Sequence, residues 1–262
     1  MFVFMNETIL NWIAVKEIDG AGPIRISEWR DKYGSPKEIL KHIAKGKQRT
    51  FFRARAEQIV REVEALGGSV ISTDCSKYPE LLSRIPDAPP VLYIKGKLPS
   101  NINSSVAVVG TRKCTSKGSE MAARIAHKLA ELGRPLVSGL ALGIDAAAHS
   151  ASLGRGAPTV SVLAHGLDRI HPLANIRLAE KILEKGGALL SEHPPGTEVK
   201  PWMFASRNRI LVGLCSATVM VQSPLKGGSM LSADLALGYN RDTYAMYPVS
   251  YTHLTLPTKR IV

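Results

Sequence analysis

VAVVGTRKCTSKG at residues 106–118 and PLVSGLALGID at residues 135–145 decide the fold. Each runs a short apolar strand into a glycine turn and then into a helix, the repeating junction of a parallel α/β sheet. Each junction is also a potential anion site. A helix N-terminus leaves N–H groups unpaired and carries the positive end of the macrodipole, and glycine admits a phosphate close to the backbone.

The same alternation extends outward from this stretch. Apolar segments VIS, VLYIKG, VAVVG, PLVSG, TVSVLAHG, ALLSE, ATVMVQS and TYAMYP follow one another from residue 70, most of them separated by helices such as SKGSEMAARIAHKLAELG (116–133). This predicts an α/β fold with a doubly wound, mainly parallel sheet covered on both faces. Ligands of such sheets bind outside the carboxyl ends of the strands, where the glycine turns fall. Residues 7–66 show no strand alternation and break at GAGP (20–23) and YGSP (33–36), which predicts a small all-helical domain in front of the sheet. Its last helix repeats apolar residues at Phe52, Ala56, Ile59, Val63 and Leu66 and stops at Gly67 and Gly68. Arg49, Arg53, Arg55 and Arg61 along it form either a solvated basic face or a second DNA contact.

The 262 residues, 45% of them hydrophobic, are enough for a full core divided between a small and a large domain. A formal charge of +12 favours polyanionic partners such as nucleic acid, although a merely solubilising surface has the same signature. Cys75, Cys114 and Cys215 are too scattered for a disulfide framework or a zinc site, so a reducing cytoplasm is the expected location. The N-terminal MFVFMNETILNW lacks a basic leader and a cleavage site, and no apolar run reaches the roughly 18 residues of a membrane span. Neither export nor membrane attachment is expected.

Four elements carry candidate chemistry. Gly110, Thr111, Arg112 and Lys113 form a cationic turn without the GxGxxG or GK[ST] spacing of nucleotide sites, so no cofactor is expected. Ser138 and Gly139 open the second turn, where Asp145 is placed to cap the helix that continues to His149. Asp145 and His149 share a helix face four residues apart, either as an acid and base pair or as a hydrogen bond fixing the helix start.

In the third element, Lys200, Phe204, Arg207, Asn208 and Arg209, two arginines flank an asparagine just as a helix begins, a placement suited to bidentate phosphate contact. Trp202 and Phe204 are either base-stacking platforms or core, and one arginine has Glu192 as an alternative partner. Lys226, Gly227, Gly228 and Ser229 make a further glycine turn before a helix. His165, His171 and His193 match no metal motif, and no metal is expected.

Taken in order, SKYPELLSRIPDAPPVLYIKG, VAVVGTR, SGLALGID with AAH, VSVLAHGLDRIHP, LLSEHPPG, FASRNRI and GGSMLSADLA resemble the DNA-processing protein A family, also called Smf, over about residues 70–248. The resemblance implies residues 1–68 as a helical domain of sterile-alpha-motif or helix-hairpin-helix type and residues 69–248 as an extended Rossmann-like DNA-binding domain. It implies a homodimer without known catalysis that binds and protects single-stranded DNA and helps load the RecA recombinase in natural transformation. The basic pocket would comprise Arg112, Ser138, Gly139, Lys200, Phe204, Arg207, Asn208, Arg209 and the turn from Gly227 to Ser229.

The chain departs from the family pattern in three places, the first being the N-terminal domain, which is placed by position more than by motif. Gln222 stands where the family has an acid, which predicts a lost salt bridge. Residues 249–262, VSYTHLTLPTKRIV, form an atypical tail in which a truncation or an assembly scar would explain the missing family segment and put dimerisation in question. The rival class is a nucleotide phosphoribohydrolase of the lysine-decarboxylase-like type, whose PGGxGTxxE loop KGGSMLSAD loosely echoes, with Asp234 as the nearest acid.

Overall fold

A computed structural model describes residues 6–224 and 227–246 of the chain. Four helices come first: α1 (Glu7–Lys16), α2 (Pro23–Tyr33), α3 (Pro36–Ile43) and α4 (Lys47–Ala65). Their starts follow local chemistry. Asn6 caps α1 by accepting from the Thr8 N–H at 2.9 Å, Ser35 caps α3, and prolines occupy the first turns of α2 and α3, where no N–H is needed.

Strands and helices then alternate through β1 (Gly68–Ser72), the short α5 (Glu80–Ser83), β2 (Val91–Gly96), β3 (Val106–Val109), α6 (Ser116–Glu131), β4 (Leu136–Ser138) and α7 (Ile144–Gly154). The chain continues with β5 (Thr159–Val162), α8 (Ile176–Glu184), β6 (Ala188–Ser191), α9 (Pro201–Gly213), β7 (Ala217–Met220), α10 (Gly228–Gly238) and β8 (Asp242–Ala245).

The strands form one sheet in the order β1-β2-β6-β5-β4-β3-β7-β8. From β3 the chain winds outward to β6 in parallel steps, then crosses to the other side of β3 to add β7 and β8, also parallel. The topological switch point therefore lies between β3 and β7, where open α/β sheets bind ligands. The first two strands break the parallel pattern, since β2 runs antiparallel to both β1 and β6. Between β1 and β2 the chain holds only the single turn of α5, not a crossover helix able to return it for parallel pairing.

The expected boundary at residue 68 divides the chain in sequence but not its core. One buried apolar cluster takes Trp12, Ile13, Ile39, Ile59 and Val63 from the helices together with Val91, Tyr93, Leu163, Ile182 and Leu189 from the sheet and its cover. The Trp12 indole donates to Asp74, and Lys16 lies over the Tyr93 ring while donating to the Glu192 carbonyl. On α4, Arg53 binds Glu7 and Glu57 closely, whereas Arg55 faces Glu17 and Glu62 at longer range without a hydrogen bond to either.

Candidate nucleic-acid interface

A cavity of about 510 Å³ opens at the carboxyl ends of β3 and β7. The β3–α6 turn supplies Gly110, Thr111, Arg112 and Lys113, helix α9 supplies Phe204, Arg207 and Asn208, and the N-terminus of α10 supplies its N-cap Gly227 with Gly228 and Ser229. Residues nearly 120 positions apart thus meet at the switch point.

Backbone geometry explains the glycines of the first turn. A side chain at Gly110 would run into Ile144 and the Gln222 carbonyl, and the adjacent Thr111 N–H donates to that carbonyl at 2.7 Å. Gly143, at φ +77°, brings the start of α7 against the Thr111 and Arg112 carbonyls. Thr115 caps α6, and its own N–H donates to the Gln222 side-chain oxygen at 3.0 Å. Gln222 thus retains an acceptor for this turn without the salt bridge expected of an acid.

The second turn differs from its expected form. The Arg207 guanidinium occupies the space beside Gly139, donating to the Gly139 carbonyl at 2.7 Å and to the Val162 carbonyl. Burial pushes the Arg207 pKa down to about 10, against the supporting charge of Asp145, so it stays cationic at neutral pH. Asp145 accepts from the N–H groups of Gly139 and Ala141 at 3.1 and 3.3 Å. Burial pushes its carboxyl pKa up, and Arg207 and these backbone donors pull it back. Ser138 is buried and donates to the Val108 carbonyl at 2.7 Å. The turn is closed from within rather than held open.

Two expectations for Asp145 are corrected by these bonds. It ties the turn before α7 rather than capping the helix, whose N-cap is Gly143 with no side-chain bond. Nor does it pair with His149, whose Nδ1 lies 2.9 Å from Thr159 Oγ1. Because Thr159 spends its only proton on the Leu136 carbonyl, His149 Nδ1 is the donor in that contact. The buried ring has its pKa lowered to about 3, mainly by burial and further by Arg207.

Of the cations lining the cavity, Arg112 and Lys113 are exposed; Lys200, exposed at the N-cap of α9, does not line it. The Arg112 guanidinium sits 5.2 Å from the centroid of the half-buried Phe204 ring, which also meets the His171 ring at 5.5 Å. Asn208 donates to the Gly228 carbonyl at 3.1 Å and accepts from Arg207, bracing the last glycine turn against α9. Lys226 lies outside the described residues.

Arg209 is not part of this cluster. Helix α9 begins at Pro201, well before the arginines, so Arg207 and Arg209 are two positions apart on a formed helix and point to opposite sides. Arg209 is buried, paired with Glu192, and donates to the Asp87 carbonyl. It lines a different cavity together with Trp202. Proline in the first helical turn is the signal that reveals this arrangement.

The lining of the switch-point cavity carries more cations than acids, Arg112, Lys113 and Arg207 against Asp145. Among the described residues its only lining carboxylate is Asp145, buried and held by backbone donors. Asp234 is exposed and does not line it, which leaves the echo of a phosphoribohydrolase loop without an acid at the site. No described cluster of His, Cys, Asp or Glu has metal-ligand spacing, and no described helix is long and apolar enough to cross a membrane.

The model of the DNA recombination-mediator protein A family matches residues 69–258. The chain belongs to this family. It is 34% identical over 257 residues to the protein Smf of Synechocystis, covering 90% of this chain and 63% of that protein. It is 36% identical over 196 residues to the DNA processing protein DprA of Streptococcus pneumoniae, covering 75% of this chain and 68% of that one. The chain thus spans just under two thirds of the Synechocystis relative.

The solved structure of the Streptococcus pneumoniae DprA superposes with a TM-score of 0.69 at 30% identity, covering 91% of this chain and 81% of that one. A Helicobacter pylori DNA processing protein A, solved to describe its single-stranded DNA binding mode, superposes at 0.62 with 28% identity, covering 72% of this chain and 82% of that one. The DNA recombination-mediator match begins at β1, leaves α1–α4 outside, and takes in every residue that lines the switch-point cavity. It also runs past Pro248 into the segment expected to be an atypical tail.

Proposed function

We propose that this chain binds single-stranded DNA at the switch-point cavity without catalysis and without sequence preference. Phosphates lie along the Gly110–Lys113 and Gly227–Ser229 turns, Arg112, Lys113 and Lys200 neutralise them, and a base packs beside Phe204. The observation that carries this reading is the solvent-facing Arg112 guanidinium over the Phe204 ring, a cation and an aromatic face presented together at the cavity mouth. Arg207 stays buried, adding positive potential from below while holding the second turn shut. The single-stranded DNA binding named for the Helicobacter pylori relative supports the same ligand.

The wider role follows the family: protection of single strands and loading of RecA during natural transformation, by a cytoplasmic homodimer. A gel shift with oligo-dT and duplex DNA tests the core of the proposal. Wild type shifts the single strand at lower protein concentration than the duplex, and Arg112→Ala loses most of that shift. Equal binding by the variant would overturn the assignment. RecA strand exchange on coated single strands, and sedimentation of the protein, test the loading role and the dimer.

A further inference from the structure

The first turn of α9 separates two cavities, and each receives an aromatic side chain from it. Pro201, Phe204, Ala205 and Asn208 face the switch-point cavity, whereas Trp202, Ser206 and Arg209 face a cleft of about 500 Å³ between the helical layer and the β6–α9 loop. The spacing of 202, 206 and 209 is one helical stripe, and that of 201, 204, 205 and 208 is another, about a third of a turn away.

Trp202 is 58% exposed, unlike Trp12, which is buried. The cleft also holds Lys16, Arg55 and Arg209 beside Glu17 and Glu192. Arg55 meets Glu17 and Glu62 only at 3.8 and 3.7 Å, so its donors are not saturated by close bonds. His193 in the cleft wall has its Nε2 buried without a hydrogen-bond partner. Lys200 stands exposed on the ridge between the two cavities.

We infer that a single strand seated in the switch-point cavity continues over the first turn of α9 and stacks a base on Trp202 in the interlayer cleft, its backbone passing Lys200 toward Arg55. The ridge is one helix wide, about 10–12 Å with its side chains. A flexible strand crosses it in a few nucleotides, and an exposed indole offers a face that any base can use. The cleft thereby becomes a second station for the same polyanion and makes affinity depend on strand length. This inference rests on the DNA-binding reading of the first cavity.

Fluorescence titration with two oligo-dT lengths, about six and about twenty nucleotides within and beyond a single-site span, tests it. The longer oligonucleotide quenches tryptophan emission in wild type. Trp202→Phe keeps the affinity but loses the quench, and Trp202→Ala weakens binding of the longer strand about tenfold while leaving the shorter one unchanged. Unchanged affinity of Trp202→Ala for the longer strand, or no quench in wild type, would overturn the crossing. Failure of the underlying reading has a different signature: Arg112→Ala then binds both lengths as well as wild type does.

Discussion

The Arg207 guanidinium donates to the Gly139 carbonyl at 2.7 Å and lies where a side chain at residue 139 would have to go. The glycine that offers an opening for phosphate in the sequence is thus the seat of a buried cation. Gly139→Ala drives its methyl into the guanidinium, which has Val162 and Asn208 on its other sides. The expected loss is about 1–3 kcal/mol of stability, read as a lower urea midpoint. An unchanged midpoint would mean that Arg207 relocates freely.

Arg112 behaves differently because it is exposed and its guanidinium rests on a ring rather than in a network. Arg112→Ala should leave the urea midpoint within about 0.5 kcal/mol of wild type. It should also reduce the slope of log affinity against log salt for single-stranded DNA by about 0.7, the effect of one phosphate contact. A slope equal to that of wild type would remove Arg112 from the phosphate path.

Truncating Arg209 removes the ion-pair partner of Glu192, which is itself buried. Arg209→Ala should cost about 3–5 kcal/mol, because a carboxylate is left in the interior without its cation. The folded fraction should retain the salt slope of the wild type. A reduced slope would instead count Arg209 among the phosphate contacts.

His149 makes stability depend on pH with a definite sign. Its native pKa of about 3 lies below the ordinary value of 6.5, so the unfolded chain takes up a proton that the native ring refuses. The contribution is fully present above about pH 6.5 and is lost as pH falls toward 3, at up to about 1.4 kcal/mol per pH unit. Burial is the main cause, and His149 Nε2 has no acceptor for the added proton. His149→Gln should therefore show a smaller drop in urea midpoint between pH 7 and pH 5 than wild type. An equal drop would place the sensitivity on other groups, such as the half-buried His193 with its pKa of about 4.

Much of this architecture is legible in the sequence, because strand segments such as VAVVG and PLVSG end in glycines whose spacing only close turns require. The helical layer is equally legible from its proline breaks and its glycine stop. What could not be read is direction. Whether Arg207 and Arg209 share a ligand depends on where α9 begins, and Pro201 in the first turn places them on a formed helix with opposite outlooks. The donors to Asp145 and the acceptor of His149 come from residues brought close by the turn and the neighbouring strands, which side-chain spacing along one helix does not encode. The antiparallel entry of β2 likewise depends on the path through α5.

The apolar cluster that joins Trp12, Ile13 and Ile59 to Val91, Tyr93 and Leu189 has a consequence for inheritance. The family match starts after the helices, yet the surface they cover is inside the matched region. A lineage that exchanges the helical layer for another must therefore replace both sides of this seam together, or supply a new apolar face of the same outline. The two parts of the chain are thus interlocked by shape, since a volume change on one side of the seam leaves a void or a clash on the other.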